Sequence, residues 1–359
     1  MQSRHSPACC NSQNATLLKK ATSAEPGGGI YYLLNPPAHR SRVFYFVKSD
    51  IAMKNRVGQI TYAIVLVICS LIPGCTPTFQ PGDVYDDTGN PVRIDTIPQR
   101  IVSLAPSNTE IVYTLGLQDR LVGVTEFCNY PPDALNKPRV GGFSTVDIEK
   151  AVALQPDLIL AADIHSKNVT PALQKIGFKV VTLTPKTLAG ILIDIELVGK
   201  ITGSERAAND LVKGLKNRIE AISQKTKALP LDKKPRVLLL LWHDPLMAAG
   251  SGTLINDQII NAGGYNIAND IEGYKAIGLE TIISRDPEVI IIPVGMEKTE
   301  SPLWNYIITE PRLKNISALK NNRVYRMDGD LVYRFSPRAV SGLEQMAGFI
   351  YPQAFGGNK

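Results

Sequence analysis

The sequence is poor in the side chains that hold metal ions. Its 359 residues include 4 histidines and 5 cysteines, and only His165, His243 and Cys128 follow position 75. A bare zinc or manganese site usually gathers about three histidines and a carboxylate, and a cysteine-rich site needs several thiolates. We therefore expect no resident metal and no resident cofactor.

The sequence also lacks a basic region that could bind nucleic acid. The formal net charge is +6, but the segment before Cys75 has 8 lysines and arginines against 2 acidic residues, and the remaining chain has 31 of each sign. A neutral body without a basic block has no electrostatic footprint for a phosphate backbone. We expect no nucleic-acid partner.

The motifs of common enzyme classes are absent as well. Gly141-Gly142 and Gly263-Gly264 lack the spacing of a dinucleotide-binding or phosphate-binding loop, and there is no Gly-x-Ser-x-Gly nucleophile elbow. Asp163, His165 and Ser166 are close in sequence, but nearby residues in one loop do not establish the geometry of a catalytic triad. We predict that the protein is not an enzyme and has no catalytic residues.

A short apolar run near the beginning of the chain predicts export. Lys54 and Arg56 are followed by an uncharged apolar run of 13 residues from Ile60 to Ile72. This run is too short to cross the bilayer, which takes about 20 helical residues, and its basic start is typical of a secretory signal. We interpret 53–75 as the signal and 1–52 as non-native or disordered sequence upstream of it.

The end of this signal, Ile72-Pro73-Gly74-Cys75, resembles a bacterial lipoprotein processing site. At such a site the cysteine is acylated and becomes the first residue of the mature protein. We therefore expect Cys75 to anchor the chain on the extracytoplasmic face of the membrane, with a plain cleaved signal peptide as the alternative. If Cys75 carries lipid, Cys128 has no partner for an intramolecular disulfide.

The remaining sequence alternates short β-branched runs with helical periods, which predicts βα units around mainly parallel sheets. We expect a tether and edge segment over 76–91, with a hairpin over 84–94, and then two α/β lobes over 92–203 and 230–359. The strands predicted for the first lobe are 101–104, 121–124, 158–161 and 180–183, and those predicted for the second are 237–241, 289–292 and 324–327.

A single long helix is predicted between the lobes. From Ser204 to Lys227 the chain contains no proline, and leucine and isoleucine recur at helical spacing at 211, 215, 219 and 222. Such a helix has about 24 residues and a length of roughly 36 Å. We assign 204–229 to this segment and expect it to resist hinge motion of the lobes.

The first helix of the N-terminal lobe has its own start signal. Ser107 is followed three residues later by Glu110, which predicts a capping box, and the helical period ends at Gly116. Glu110 is therefore interpreted as part of the helix start.

Several aromatic residues fall where a ligand of such a fold would bind. Ligands of open α/β sheets bind beyond the carboxyl ends of the strands, and aromatic side chains contribute much buried area to a binding site. Phe143 and Tyr274 are the best candidates, because each precedes by six residues a glutamate that opens a helix. The aromatic candidates are Phe127, Tyr130, Phe143, Trp242 and Tyr274, of which we expect roughly half to line a cleft.

With these elements in place, the chain resembles the substrate-binding proteins of bacterial ABC importers whose lobes are joined by one rigid helix. Within that class it is most similar to the cobalamin-binding branch, beside siderophore-binding and haem-binding relatives. The resemblance covers most of the chain after the signal. It rests on the order and spacing of 100–110 (RIVSLAPSNTE), 121–124 (LVGV), 129–132 (NYPP), 155–159 (QPDLI), 250–253 (GSGT) and 262–264 (AGG).

The resemblance implies a ligand cleft between the lobes and no chemistry. It carries over Phe127, Phe143 and Tyr274 as aromatic cleft residues. It also implies that Glu149 and Glu280, one on each lobe, pair with arginines of the membrane permease. As an alternative or additional role, each glutamate would stabilise the N-terminus of its own helix electrostatically.

Two further ligand-binding residues are predicted with their alternatives open. His243 would either coordinate the metal of a bound chelate or act as a hydrogen-bonding cleft residue. Arg334, with Arg338 and Lys186, would either hold carboxylate or phosphate groups through charge-assisted hydrogen bonds, which would suit an anionic chelate, or be surface charges without a ligand, the interpretation we favour for Lys186. An aromatic of the cobalamin branch falls near Ala162, and its absence here leaves room for another corrinoid or chelate.

The predicted function is that of a lipid-anchored binding protein that captures cobalamin or a related corrinoid and delivers it to an ABC permease and ATPase. A ferric siderophore or haem is the alternative ligand. Chelatase-like metal insertion is the enzyme alternative, which the export signal opposes. We expect a monomer whose partners are a small metal chelate, the permease complex and, through its lipid, the membrane.

Overall fold

The computed structural model describes residues 84–226, 230, 233–295 and 301–355. The predicted upstream segment, the signal with Cys75, the first part of the tether and the end of the linking segment lie outside the described residues. Within the described residues, no helix combines the length and the apolar character needed to span a bilayer.

The described chain begins with an antiparallel hairpin of β1 (Val84–Tyr85) and β2 (Pro91–Val92). Its turn is built on Asp86, whose Oδ1 accepts hydrogen bonds from the backbone N–H groups of Thr88 and Asn90 at 3.0 and 2.9 Å. The other carboxylate oxygen accepts the N–H of Thr182 at 3.1 Å. The predicted hairpin is confirmed, and it is attached to the edge of the neighbouring sheet.

The N-terminal lobe is built on a four-stranded, wholly parallel sheet. Its strands are almost continuously buried and rich in valine, leucine and isoleucine, as expected when helices cover both faces of a parallel sheet. In spatial order the strands are β4 (Leu121–Val124), β3 (Ile101–Ser103), β5 (Leu158–Ala162) and β6 (Val180–Leu183). The helices are α1 (Pro106–Thr114), α2 (Ile148–Ala153), α3 (Val169–Lys175) and α4 (Leu188–Thr202). The four predicted strands are confirmed to within one residue at each end.

Helix α1 starts differently from its prediction. Its N-cap residue is Ala105, which supplies no side-chain hydrogen bond, and Pro106 at the first helical position fixes φ at a helical value. Ser107 Oγ donates to Asn108 Oδ1, and the Glu110 carboxylate is bonded to side chains far along the chain. The predicted capping box is wrong, because Glu110 is engaged in a tertiary contact.

The C-terminal lobe has a mixed six-stranded sheet. Its parallel part is formed by β9 (Tyr265–Asn266), β7 (Arg236–His243), β11 (Val289–Val294) and β12 (Val324–Asp328), and its antiparallel edge by β8 (Leu246–Ala249) and β10 (Tyr274–Ala276). The three predicted strands are confirmed and slightly longer than predicted, whereas β8, β9 and β10 were not predicted.

The described residues of this lobe also form seven α-helices. They are α6 (Leu254–Asn261), α7 (Leu279–Arg285), α8 (Pro302–Thr309), α9 (Ser317–Lys320), α10 (Asp330–Tyr333), α11 (Ala339–Ile350) and α12 (Pro352–Phe355). Helix α6 is capped by Thr253, whose hydroxyl accepts the N–H of Asn256 at 3.1 Å.

Helix α5 (Glu205–Thr226) joins the lobes and is 22 residues long, or about 33 Å. Its buried side chains at 208, 212, 215 and 222 form an apolar stripe that packs against both α4 and α11. These side chains belong to one continuous core that includes Ile195 of the first lobe and Leu343 of the second. The predicted long helix is present, and the boundaries drawn at 92–203, 204–229 and 230–359 stay predictions.

Candidate functional site

A cavity of about 610 Å³ lies between the two lobes, well inside the range of about 300–1,000 Å³ that ligand pockets occupy. Each strand of the N-terminal sheet is followed by a segment that lines the cavity: Ser107 follows β3, Phe127 follows β4, Asp163 follows β5 and Thr184 follows β6. This is the edge at which ligands of open α/β sheets bind.

The C-terminal lobe lines the cavity with three separate segments. They are the start of α6, the first residue of β10 and the end of α10 with the residues that follow it. The described lining residues are Pro106, Ser107, Phe127, Phe143, Ser144, Ala162, Asp163, Ile164, Leu183, Thr184, Pro185, Lys186, Gly252, Thr253, Leu254, Tyr274, Tyr333, Arg334 and Phe335.

Aromatic side chains form both walls of the cavity. Phe127 and Phe143 come from the N-terminal lobe, and Tyr274 and Tyr333 come from the C-terminal lobe. Burial raises the pKa of Tyr333 to about 12, and charge on the neighbouring Tyr274 adds to the effect; burial also raises the pKa of Tyr274. Both phenols therefore stay protonated at neutral pH and can donate hydrogen bonds.

Arg334 lines the cavity, but its charge is used within the protein. Its side chain is only 7% exposed. Its Nη1 donates to Glu110 Oε1 at 2.9 Å, and its Nη2 donates to Asn129 Oδ1 at 2.7 Å and to Asp330 Oδ2 at 2.9 Å. The guanidinium is thus surrounded by acceptors from both lobes.

Glu110 is the centre of this arrangement and is 2% exposed. Arg338 donates from Nε to Oε2 at 2.9 Å and from Nη2 to Oε1 at 2.7 Å, and Ser336 Oγ donates to Oε2 at 2.6 Å. Burial alone would lower the pKa of Arg338, but the hydrogen bond and the charge of Glu110 outweigh it and raise that pKa. We call Glu110, Asp330, Arg334, Ser336 and Arg338 the Glu110 cluster.

The lobes also meet at a second polar contact. Asp257 Oδ2, from α6, accepts the backbone N–H of Leu188 at the first residue of α4 at 2.7 Å. Burial raises the pKa of Asp257 even though this hydrogen bond favours the charged form. Together with the Glu110 cluster and helix α5, this contact joins the lobes at three places.

The structure brings four of the seven predicted ligand-binding residues to the cavity and leaves three outside its lining. Tyr130 lies with its ring 3.9 Å from the guanidinium carbon of Arg338. Trp242, 57% exposed, and His243 lie at the end of β7 with their ring centroids 5.9 Å apart, and Trp242 Nε1 donates to the carbonyl of Asp244 at 3.0 Å. The lining residues among the seven are Phe127, Phe143, Tyr274 and Arg334.

Tyr333 is a lining residue that the sequence did not single out. Its place was visible, because it follows the predicted strand over 324–327 and thus lies at the ligand-binding edge. Nothing in the local sequence, however, distinguishes it from the adjacent apolar residues. Its role depends on α10, a helix of four residues that turns the phenol into the cavity.

Asp163, His165 and Ser166 do not form a catalytic triad. Both ring nitrogens of His165 bond to backbone groups, the N–H of Ala162 at 2.9 Å and the carbonyl of Phe143 at 2.7 Å. Ser166 Oγ donates to the carbonyl of Asp163. No imidazole nitrogen is therefore left to activate the hydroxyl.

Glu149 and Glu280 occupy matching places on the two lobes. Each is the second residue of its helix, α2 or α7, and each is exposed. Neither carboxylate forms a salt bridge with any described residue. Both favour the N-terminus of their helix, and the charge of Glu280, after the hydrogen bond and charge of Glu310, contributes to raising the pKa of Arg312.

The part of the chain that the structure describes contains no group of three or more histidine, cysteine, aspartate or glutamate side chains able to hold a metal ion. The polar side chains that line the cavity are phenols, hydroxyls and the charged groups of Asp163, Lys186 and Arg334. Such a lining is suited to recognising a ligand by its shape and hydrogen bonds.

The model of the family described as periplasmic binding protein matches residues 101–331, which contain all strands from β3 to β12. The chain belongs to the periplasmic binding protein family. Proteins of this family bind and carry ligands and are not enzymes, so the predicted fold class, the absence of enzyme activity and the absence of a resident cofactor are confirmed.

The chain is similar in sequence or structure to three proteins with more specific names. It is 32% identical over 326 residues to the uncharacterized ABC transporter substrate-binding lipoprotein YvrC of Bacillus subtilis, covering 84% of this chain and 99% of that one. The solved structure of the periplasmic vitamin B12 binding protein BtuF of Vibrio cholerae is 28% identical with a TM-score of 0.61, covering 71% of this chain and 98% of that one.

The third is the solved structure of a protein from Staphylococcus epidermidis, described as a possible iron-binding, periplasmic solute-binding protein. It is 30% identical, has a TM-score of 0.63 and covers 71% of this chain and 100% of that one. The sequence-based resemblance to substrate-binding proteins of ABC importers is confirmed by these similarities.

Proposed function

We propose that this periplasmic binding protein, a substrate-binding component of an ABC transporter, captures a corrinoid in the cavity between its lobes and delivers it to the permease. The observation that supports this most strongly is the combination of two aromatic walls with an arginine that is already neutralised. Among the described lining residues the charged ones are Asp163, Lys186 and Arg334, and Arg334 is bonded to Glu110 and Asp330.

This charge distribution discriminates between ligand classes. A corrinoid is a flat macrocycle whose edge carries neutral amide groups, so it needs aromatic faces and directed hydrogen bonds more than cations. Haem carries propionate carboxylates, and many ferric siderophores are anionic, so sites for them profit from free guanidinium groups. The phenols of Tyr274 and Tyr333 can donate to amide carbonyls.

The similar solved structures are named for vitamin B12, iron and haem, so our choice between these ligand classes rests on the charge distribution of the cavity. The similarity to the vitamin B12 binding protein of Vibrio cholerae supports a corrinoid. The similarity to the Staphylococcus epidermidis protein supports a ferric chelate as the second candidate, for which exposed Lys186 would be the cationic contact.

Delivery requires a docking surface and, in our proposal, a membrane anchor. Exposed Glu149 and Glu280 are proposed to orient the protein on the permease through arginines of that partner, because like charges on a rigid body set orientation more than affinity. Cys75 is proposed as the lipid-bearing residue that keeps a monomeric protein on the extracytoplasmic face of the membrane. The name of YvrC as a lipoprotein supports the anchor.

Spectral titration tests the ligand class. The purified protein is titrated with dicyanocobinamide, cyanocobalamin, haemin and a ferric hydroxamate siderophore, and binding is followed by the visible absorption of each ligand. We expect a corrinoid to bind with a Kd below about 1 μM and the anionic ligands to bind far more weakly. Binding of haemin or of the siderophore, with no corrinoid binding, would overturn the proposal.

A further inference from the structure

We propose that His165 is a positioning residue of the cavity: it ties the turn that presents Phe143 to the loop that follows β5, and so shapes the N-terminal wall. The expected change in ligand affinity rests on the proposed function. The expected change in the structure of the Phe143 turn is independent of it.

Phe143 lies on a tight turn that has little support of its own. Gly141 and Val146 form an isolated antiparallel bridge, and the N–H of Gly142 donates to the carbonyl of Thr145 at 3.2 Å. The φ of Gly141 is +92°, and a Cβ there would come within 2.7 Å of backbone atoms of Thr145 and Asp147. Only glycine fits this position, so the turn is tight, but these bonds leave Phe143 itself at its tip.

His165 supplies the missing attachment. It ends the 3-10 turn Asp163–His165 after β5 and is 1% exposed. Its Nε2–H donates to the carbonyl of Phe143 at 2.7 Å, and its Nδ1 accepts the N–H of Ala162 at 2.9 Å. The Phe143 ring also packs edge-on against the imidazole, with the ring centroids 5.5 Å apart and the planes at 81°.

The two partners of His165 belong to different segments of the wall. Phe143 with Ser144 and Ala162 with Ile164 all line the cavity, whereas His165 does not. The imidazole therefore acts on a ligand only through the residues that it holds. Both hydrogen bonds require the neutral ring with its proton on Nε2, because that tautomer alone offers one donor and one acceptor in these places.

Two amide variants separate the two hydrogen bonds. In His165→Asn the shorter side chain can place its carbonyl near the position of Nδ1 and keep the Ala162 bond, but it cannot reach Phe143. In His165→Gln the longer side chain can place its N–H near the position of Nε2 and keep the Phe143 bond, while the Ala162 bond is lost.

Affinity for dicyanocobinamide is measured by visible absorption with the full chain of each variant, beside urea unfolding. If His165 positions Phe143, His165→Gln stays within about threefold of the wild-type affinity and His165→Asn loses about tenfold, which is the order of one hydrogen bond. If the affinities of both variants fall equally, in step with their unfolding midpoints, the role is merely structural and the proposal is overturned.

Hydrogen exchange gives a readout that needs no ligand. In His165→Asn we expect faster exchange across 141–147, whose protected amides include Gly142 and Asp147, and no change at Ala162; in His165→Gln we expect the reverse. His243→Asn, at the end of β7, is the control and should leave exchange of that turn unchanged. Unchanged exchange across 141–147 in His165→Asn would contradict the proposal. Failure of the wild type to bind a corrinoid would contradict only the proposed function.

Discussion

The two walls of the cavity have different chemistry although both come from α/β lobes. The N-terminal wall presents Phe127, Phe143 and Ile164 on loops that follow a wholly parallel sheet. The C-terminal wall presents the phenols of Tyr274 and Tyr333, one from an antiparallel edge strand and one from a helix of four residues, beside the apolar side chains of Leu254 and Phe335. Apolar side chains contribute buried area and phenols add directed hydrogen bonds, so we expect the C-terminal wall to contribute more to the orientation of a ligand.

Two buried carboxyl groups also differ, in this case in how their negative charge is neutralised. Glu110 on α1 is paired with two arginines from the other lobe. Asp194 on α4 has no such partner, and burial, with a contribution from the negative charge of Asp87, raises its pKa to about 9. One acid is thus neutralised by cations and the other by a proton, and only the first links the lobes.

Glu110→Gln has the largest expected effect. The substitution keeps the side-chain size but leaves Asp330 as the one acidic partner of both Arg334 and Arg338 in the Glu110 cluster, and breaking a buried pair costs about 3–5 kcal/mol. Urea unfolding measures this loss. Glu149→Gln, an exposed glutamate without a salt bridge, is the control and should change the free energy of unfolding by less than about 0.5 kcal/mol.

Glu110→Gln should also change which ligands the cavity binds. With Glu110 neutral, the Glu110 cluster has two arginines and only Asp330 as an acid, so it gains a net positive charge beside the cavity and haemin should bind more tightly to Glu110→Gln than to the wild type. A loss of stability below about 1 kcal/mol, or unchanged haemin affinity in a folded variant, would contradict the assignment of Arg334 as a neutralised residue.

Asp194→Asn is expected to stabilise the protein, whereas Glu110→Gln destabilises it. Between the ordinary pKa of 3.8 and the folded value of about 9, the folded protein binds a proton that the unfolded chain has released. The free energy of unfolding therefore decreases as pH rises through this window, by up to about 1.4 kcal/mol per pH unit. Asparagine removes this dependence, so the variant should be more stable than the wild type at pH 7 by about 1–3 kcal/mol.

Urea unfolding from pH 4 to pH 9 checks this expectation. The wild-type curve should fall relative to the variant curve as pH rises, and the difference between them should become small toward pH 4, where the pH approaches the ordinary pKa of 3.8. Parallel curves across the whole range would show that Asp194 is ionised in the folded protein.

Truncation of the apolar wall is expected to cost more affinity than removal of a hydroxyl from the phenol wall. Burying a phenylalanine side chain contributes about 1.5–3 kcal/mol, so Phe127→Ala and Phe143→Ala should each weaken corrinoid binding by about 10-fold to 150-fold. Visible titration with dicyanocobinamide measures the change. Ile193→Ala, an exposed apolar residue outside the cavity lining, controls for loss of surface area.

The phenol wall is tested by Tyr274→Phe and Tyr333→Phe. Each variant keeps the ring and removes one hydrogen-bond donor, so we expect a loss of about 2-fold to 10-fold. The losses should differ between corrinoids that carry different edge groups, because the phenols recognise those groups. If each hydroxyl proved as costly as a whole phenylalanine ring, the division between the walls would be wrong.

The smallest effect on the isolated protein is expected from Glu149→Ala and Glu280→Ala. Both residues are exposed and lie outside the cavity lining, so corrinoid affinity should stay unchanged and stability should shift by less than about 0.5 kcal/mol. Transport in cells that depend on an external corrinoid should nevertheless fall, most strongly in the double variant. Normal transport by the double variant would remove the proposed docking role.

Local patterns in the sequence were sufficient for the regular elements. The four strands of the first lobe are short runs of buried apolar residues between clear breaks, and the stripe along α5 repeats at helical spacing. Strands β8 and β10 lacked such a signal because they form an antiparallel edge, whose pairing depends on β7 and not on their own residues.

The site was harder to predict because its decisive contacts are distant in sequence. Ser107 and Glu110 have the spacing of a capping box, and only the approach of Arg334, 224 residues away, reveals what Glu110 binds. For the same reason Arg334 resembled a free anion-binding residue and Tyr130 a cleft aromatic, although Tyr130 packs on Arg338. Phe143 and Tyr274 reached the cavity as expected because each is placed by a nearby turn or strand.

The most direct test of the account is the crystal structure of the complex with dicyanocobinamide. We predict the corrin ring between the phenylalanines of the N-terminal wall and the tyrosines of the C-terminal wall, the phenols donating to edge amides, and Arg334 still bonded to Glu110. A corrinoid bound elsewhere, or an Arg334 that leaves Glu110 to bind the ligand, would contradict the claim that the cavity is a neutral, aromatic corrinoid site.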